Sequence, residues 1–530
     1  MPKGDLVCAV DVGTGSARAG VFDGSGNMLG RQDHPIAMHQ PYPNFAEHSS
    51  ENIWNAVCAA VKAAVAQAGV ERVRIAGIGF GATCSLVMRD KQGEPLSVSP
   101  SGDNQWDTVV WLDHRAIEEA DACTATGHPV LQTIGGRMSP EMQVPKAMWL
   151  KRHLPHQWER CGFLYDLADF LTWKATGSSA RSRCTLTCKW TFEPDRASPW
   201  HGDFLSAVGL EDFLLCGGLP NTTARPGDPL GTLTDAAAEA LGLSSDCRVG
   251  PGLIDAYAGA LGVLGQYAGA PDILRTQLAL IAGTSSCLMT LSPDPIAIPG
   301  GWGPYPGVTL PQSWVTEGGQ SATGGLLDHV IRAHGAGGEP TSAMHSRICT
   351  RINELHAAEG EAFARRLHVL PDFHGNRTPF ADPHALGVIS GLSLDASFDG
   401  LCRIYWRAAV AIALGTRQIL DSLRAAGAAV ETLHVAGGHA RNPLLPELYA
   451  DVTGREVIVH HDGDAMLAGS AMCAAAAAGL HGSLERACIA MGKSGRSQLP
   501  KTDVKARFDR DYAIFLQMQR HRTAIEALDP

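Results

Sequence analysis

Leu6-Val7-Cys8-Ala9-Val10-Asp11-Val12-Gly13-Thr14-Gly15-Ser16-Ala17-Arg18-Ala19-Gly20-Val21-Phe22-Asp23 is an apolar run that reaches an acidic residue, turns through Gly-Thr-Gly-Ser and resumes three residues later as a second apolar run. So short a connection predicts a β-hairpin whose tip exposes backbone N–H groups. Such a tip can cradle phosphate. Asp11, at the end of the first strand, is then placed to hold Mg²⁺ beside that phosphate, because hard cations take carboxylate oxygens and keep several waters. Taken alone, the same residues describe a surface hairpin with a turn aspartate equally well.

A second copy shifts that balance. Gln277-Leu278-Ala279-Leu280-Ile281-Ala282-Gly283-Thr284-Ser285-Ser286-Cys287-Leu288-Met289 repeats the pattern of apolar strand, Gly-Thr-Ser-Ser turn and apolar return about half a chain later. Weak duplication on this scale predicts two similarly built domains facing one cleft. At 530 residues the chain exceeds what one core usually serves. Hydrophobic content of 45% with 18% charged residues describes a globular protein and excludes a disordered one. A net charge of -11 argues against a general nucleic-acid or anionic-membrane surface, which needs a basic footprint.

The expected compartment is the cytoplasm. Met1 to Asp5 enters the first strand without a signal-like apolar segment, and no apolar run approaches transmembrane length. The fourteen cysteines are scattered, as reduced cysteines acting as small hydrophobes are. Cys184 and Cys188 form the one close pair, and no second Cys/His pair accompanies it to make a zinc site.

Along the chain, Ser49 to Gly69 reads as a capped amphipathic helix and Val73 to Gly79 as a buried strand. Strand, helix, strand is the order of a mixed α/β sheet. Trp111, Asp113, His114 and Arg115 crowd where the next apolar run ends; they suit either a polyol pocket or a core tryptophan beside a surface pair. Pro145 to Lys151 and Phe163 to Gly177 read as helices, and Arg181 to Trp190 as a Ser/Thr-rich segment whose Lys189 is ordinarily solvated. Asp255 follows a glycine-rich strand end at the start of a small-residue helix, as an N-cap or a catalytic carboxylate. Glu317 precedes a glycine-rich helix entrance around Gly324, and such entrances attract anions. Leu401 to Leu423 reads as a long buried helix, and Asp464 begins a further small-residue helix. Gly437 and Gly438 end a strand where backbone can approach a flat ligand. Ala487 to Ser494 ends like a P-loop but lacks its first glycine and a preceding strand, so it is rejected as a nucleotide site. Phe508 to Ile525 is the expected closing helix.

Asp11-Val12-Gly13-Thr14, Gly252-Leu253-Ile254-Asp255-Ala256, Gly283-Thr284-Ser285-Ser286 and Ala436-Gly437-Gly438-His439-Ala440-Arg441-Asn442 together resemble the FGGY family of carbohydrate kinases over essentially the full length. The resemblance implies an α/β fold of two actin-like, ribonuclease-H-like domains flanking a catalytic cleft. It further implies a sugar-binding domain carrying the base over residues 1–260 and an ATP-binding domain over 261–530.

Carried over position by position, the resemblance makes Asp255 the general base and places Mg²⁺ on Asp11 with Asp255. ATP falls to Gly13, Thr14, Gly283, Thr284, Gly324, Gly437, Gly438 and Asn442. Gly79 to Ser85 and Trp111 to Arg115 resemble the ribulokinase-like branch; the Gln-Met-His-Gly segment usual in xylulokinases and the Arg-Glu-Thr segment of glycerol kinases are absent. In that branch Trp111, Lys189, Asp255 and Glu317 would contact a ketopentose, with Asp113 to Arg115 either shaping the pocket or bracing its strand. The implied reaction moves the ATP γ-phosphoryl group to a terminal hydroxyl, ribulose being the first expectation and L-ribulose, erythritol or another sugar or polyol the alternative. A noncatalytic sugar or nucleotide sensor and an actin-fold chaperone or filament ATPase are the readings from other classes. Expected partners are a small sugar or polyol, with no nucleic acid and no membrane; a homodimer is allowed.

Overall fold

Leu6–Val12 is buried along its whole length, as a strand covered on both faces must be. The structure, a computed structural model, describes residues 4–460 and 464–528. Leu6–Val12 pairs antiparallel with Ser16–Asp23 and parallel with Ile75–Ala82, which closes the first hairpin and starts a mixed sheet. That sheet runs Met28–Pro35, Ser16–Asp23, Leu6–Val12, Ile75–Ala82, Arg248–Val249, Gly231–Thr232, and Leu253–Ile254 also pairs with Ile75–Ala82.

The second sheet repeats the arrangement. Gln277–Ala282 pairs antiparallel with Ser286–Ser292 and parallel with Thr432–Gly437, with Trp314–Gln320 and Trp302–Pro306 beyond the hairpin and Glu456–Val459 and Arg496–Gln498 on the far side. The duplication legible in sequence is therefore a duplication of hairpin plus parallel strand. Each sheet has its own helical cover. Ser50–Ala68, capped by Ser49, whose Oγ accepts the Asn52 N–H, and by left-handed Gly69, packs Ile53, Val57 and Val61 on the first sheet. Phe398–Ala425 does the same for the second, against Leu278, Leu280 and Val435.

One helix does not keep to its own half. Ala465–Ala477, late in the chain, packs on the first sheet and against Asp255–Leu264, in a core that also includes Ala279 and Met289 of the second sheet. Glycines set that closeness: a Cβ on Gly79 would meet the Ser470 carbonyl oxygen at 2.2 Å, one on Gly262 the Ala465 carbonyl oxygen at 2.1 Å, and one on Gly469 the Ala258 carbonyl oxygen at 1.9 Å. The two helices meet backbone to backbone, so each fixes where the other begins. A Gly→Ala change inside a helix normally stabilises by about 1 kcal/mol. Here the sign reverses, because the obstacle is backbone that cannot swing aside; Gly469→Ala is expected to destabilise by about 1–3 kcal/mol, read as a lower midpoint in chemical denaturation.

Several sequence expectations need correcting. The strand expected over Val73 to Gly79 begins after a turn of 3₁₀ helix at Arg72–Arg74 and runs Ile75–Ala82. Phe163 to Gly177 is not one helix: Cys161–Asp166 is a strand paired with Leu86–Asp90, and only Leu167–Thr176 is helical, closed by Gly177. Cross-strand pairing there overrides local periodicity. Arg183–Lys189 is a helix capped by Ser182, and Lys189 is buried in it, against the solvated reading. The fourteen cysteines are all free, and among the described residues no helix is long and apolar enough to cross a membrane.

Candidate active site

Both hairpin turns open on a single cavity of about 790 Å³ between the two sheets. Asp11, Gly13, Thr14, Trp111, Lys189 and Asp255 line it from the first half, and Gly283, Thr284, Glu317, Gly437 and Gly438 from the second. The turns are built alike. The Gly13 N–H closes its turn on the Ser16 carbonyl at 3.0 Å, and the Gly283 N–H closes its own on the Ser285 carbonyl at 2.8 Å. No atom lies within 4 Å of where a Cβ on Gly283 would sit, so that turn presents bare backbone to the cavity.

At the end of the first strand Asp11 is almost fully buried. Its Oδ2 accepts from Arg18 at 2.8 Å, and Arg18 stands directly opposite it in the hairpin register. Its Oδ1 is buried without a donor, and so is Oδ1 of Asp464, which lies 3.9 Å from Arg18 through its other oxygen. Burial first, then the charge on Asp464, push the Asp11 carboxyl up to about 8; Arg18 opposes them and Asp255 adds to them. Buried acceptors left unpaired among neighbouring carboxylates form an oxygen donor set of the kind that suits a hard cation.

Asp255 is the first residue of its helix, and its Oδ1 accepts the adjacent Ala256 N–H at 2.7 Å. It caps no later N–H, so the capping alternative raised by the sequence lapses. Burial lifts its carboxyl above the ordinary range, while the Ala256 N–H, Lys189 and Arg18 pull the other way. A carboxylate raised in this manner is a stronger proton acceptor than an ordinary aspartate.

Further polar groups line the cavity with it. The Trp111 indole N–H donates to Thr14 Oγ1 at 3.0 Å, its backbone N–H donates to Ser85 Oγ at 3.2 Å, and its carbonyl accepts from Lys146 Nζ at 3.4 Å. The Lys189 ammonium stands 3.9 Å from the Trp302 ring centre and makes no hydrogen bond among the described residues. Glu317 is held at both oxygens, Tyr257 donating to Oε2 at 2.7 Å and Arg377 to Oε1. Burial alone would raise the Glu317 carboxyl, yet Arg377 and then Lys189 hold it below the usual glutamate range.

Two expected positions stand elsewhere. Gly324 does not line the cavity; it backs the second turn, donating its N–H to the Gly283 carbonyl at 3.0 Å. Asn442 also lies outside the lining, its Oδ1 accepting the Leu444 N–H at 2.9 Å and its Nδ2 donating to Tyr405. Asp113 and Arg115 form a buried pair joined to Glu47, which braces the strand rather than the pocket.

Sequence reasoning missed Arg18, Asp464, Tyr257, Trp302 and Arg377. A signal existed for Asp464, since Asp464-Ala465-Met466-Leu467-Ala468-Gly469 echoes Asp255-Ala256-Tyr257-Ala258-Gly259 as an acidic start to a small-residue helix. Arg18 was recoverable from the hairpin register. Arg377, in an irregular Gly/Asn/Pro loop, carried none.

Sequence models described as the N-terminal and the C-terminal domain of the FGGY family of carbohydrate kinases match residues 6–262 and 278–478. The chain belongs to the FGGY family of carbohydrate kinases. It is an ATP-dependent sugar kinase, with the two-domain fold expected from its motifs. A human FGGY carbohydrate kinase domain-containing protein is 41% identical over 531 residues, covering 97% of this chain and 96% of that protein. The D-ribulokinase of Saccharomyces cerevisiae is 37% identical over 517 residues, covering 90% of this chain and 72% of the yeast protein. In fold, the chain is similar to a crystal structure of xylulose kinase from Rhodospirillum rubrum, with a TM-score of 0.77, 22% identity, and coverage of 98% of this chain and 99% of that one.

Proposed function

We propose that this FGGY kinase is a pentulose kinase that transfers the γ-phosphoryl group of ATP to a terminal primary hydroxyl of D-ribulose. The observation that carries the reading is the placing of Asp255, with its raised carboxyl, in one cavity with both Gly-Thr turns. Phosphoryl transfer needs alignment, charge neutralisation and a proton acceptor. In this reading Asp255 takes the hydroxyl proton. Lys189 donates to sugar oxygens, Glu317 accepts from sugar hydroxyls and Trp111 covers the carbon skeleton. Likeness to the yeast D-ribulokinase favours D-ribulose over L-ribulose and erythritol.

The turn N–H groups that remain once those of Gly13 and Gly283 have closed the two turns receive the phosphates, with Gly437 and Gly438 beside the nucleoside and Gly324 and Asn442 supporting that wall from behind. Asp11, Asp255 and Asp464 fit Mg²⁺ through the unpaired oxygens of Asp11 and Asp464. Bound with ATP, the ion would neutralise phosphate charge. Residues 1–260 form the sugar-binding half and 261–530 the ATP-binding half, and closure of the two excludes water that would otherwise accept the phosphoryl group. The enzyme works in the cytoplasm, and a homodimer is compatible with this scheme.

A coupled ADP-release assay over D-ribulose, L-ribulose, D-xylulose, erythritol, ribitol and glycerol tests the assignment. D-ribulose is expected to give the highest kcat/KM. A higher value with another compound reassigns the substrate, and no stimulation by any of them removes the pentulose-kinase reading.

A further inference from the structure

Arg377 lies on the loop between Leu370 and Val388, outside both sheets, yet its guanidinium reaches the cavity wall. The loop is sewn down on either side of it. The Thr378 N–H donates to the Gly319 carbonyl at 3.3 Å, and Thr378 Oγ1 accepts the Gly319 N–H and donates to the Gly300 carbonyl, both at 3.1 Å. Asn376 Nδ2 donates to Asp372 at 2.9 Å, and Asp372 is in turn paired with Arg522 of the closing helix. Between these anchors the guanidinium donates to Glu317 Oε1 and lies 4.0 Å from the Trp302 ring centre.

Gly319 makes room for it. A Cβ at that position would come within 2.4 Å of Arg377 Cζ and 2.7 Å of Nε and Nη2. The guanidinium thus lies flat against a strand stripped of its side chain two residues beyond Glu317. Trp302, whose ring carries Arg377, also carries the Lys189 ammonium and stands opposite Glu317 in the strand register. Arg377 and Tyr257 take one Glu317 oxygen each, so the carboxylate cannot rotate, and its remaining lone pairs have a fixed direction.

We propose that Arg377 is a positioning residue for the sugar site, holding the Glu317 carboxylate oriented so that its free lone pairs accept sugar hydroxyls, with Gly319 as the seat that admits the guanidinium. This rests on the reading of Glu317 as a sugar contact. Arg377 itself need not touch the substrate, and its removal acts on sugar affinity and leaves the nucleotide alone. A bidentate-capable, charge-assisted donor is lost in Arg377→Gln and partly kept in Arg377→Lys.

Steady-state kinetics of Arg377→Gln, Arg377→Lys, Gly319→Ala and Glu317→Gln, with D-ribulose and ATP varied separately, test it. Arg377→Gln is expected to raise the sugar KM about 10–100-fold with the ATP KM changed less than about twofold, and Arg377→Lys to recover part of the loss. Gly319→Ala keeps the arginine but displaces it; since the obstructing atoms are the far end of a flexible side chain, the variant folds and shows the same sugar KM increase. The Gly319→Ala/Arg377→Gln double variant is no worse than Arg377→Gln alone. If Glu317→Gln raises the sugar KM while Arg377→Gln and Gly319→Ala do not, the positioning role is overturned and the sugar-site reading stands. If Glu317→Gln leaves the sugar KM unchanged, Glu317 is no sugar contact and the proposal falls with that reading. Should Arg377→Gln fail to fold, Gly319→Ala and Arg377→Lys decide the question by the same criterion.

Discussion

Asp255→Asn lowers kcat by on the order of 10²–10⁴ while ATP binding stays near the wild-type value. The substitution preserves shape, and its side-chain oxygen still accepts the Ala256 N–H. What it loses is the capacity to take a proton. Because burial raises the Asp255 carboxyl, wild-type kcat/KM for the sugar should fall as pH drops through that raised value, as the base becomes protonated. The variant should show its residual rate without that acid limb. Both features are measured in one coupled ADP-release experiment across pH, with nucleotide affinity taken separately by titration. A kcat within about tenfold of wild type, with the acid limb intact, would remove Asp255 from the role of base.

How far the sequence reaches follows from what is local. The two hairpins were legible because each turn fixes its own strands, and the helix from Ser50 to Ala68 because Ser49 and Gly69 mark both ends. Asp255, Glu317 and the Gly-Thr turns were legible through motifs, and the structure gathers them around one cavity. What was lost depends on contacts between distant segments. Cys161–Asp166 became a strand because Leu86–Asp90 lay free to pair with it. Lys189 is buried because the Trp302–Pro306 strand of the other half covers it, which nothing in a Ser/Thr-rich stretch announces. The exchange of Ala465–Ala477 onto the first sheet was equally hidden, although its glycines and its echo of the Asp255 helix were present in the sequence. That exchange brings a third carboxylate, Asp464, to the cavity.

The three carboxylates make stability and activity pull in opposite directions at Asp11. Its carboxyl moves from 3.8 to about 8 on folding, so between those limits the folded chain holds a proton that the unfolded chain has released. Stability contributed by that proton is fully present below about pH 4 and is lost as pH rises through about 8. Asp11→Asn removes the penalty: the charge repelled by Asp464 and Asp255 is gone, and Arg18, whose side chain is 30% exposed, can turn its charge toward water. The variant without nucleotide is therefore expected to melt a few degrees above wild type at pH 8, and at the same temperature as wild type near pH 4. The same change takes away the carboxylate charge proposed to balance a cation, so kcat should drop at least about 10²-fold. Magnesium-ATP is expected to stabilise wild type by binding the folded state, and to stabilise the variant far less. Differential scanning calorimetry with and without magnesium-ATP reads the two melting expectations, and the coupled ADP-release assay reads the drop in kcat. A variant that melts below wild type at pH 8 would mean that the Arg18 pairing outweighs the repulsion, and that Asp11 is held in place for the fold and not against it.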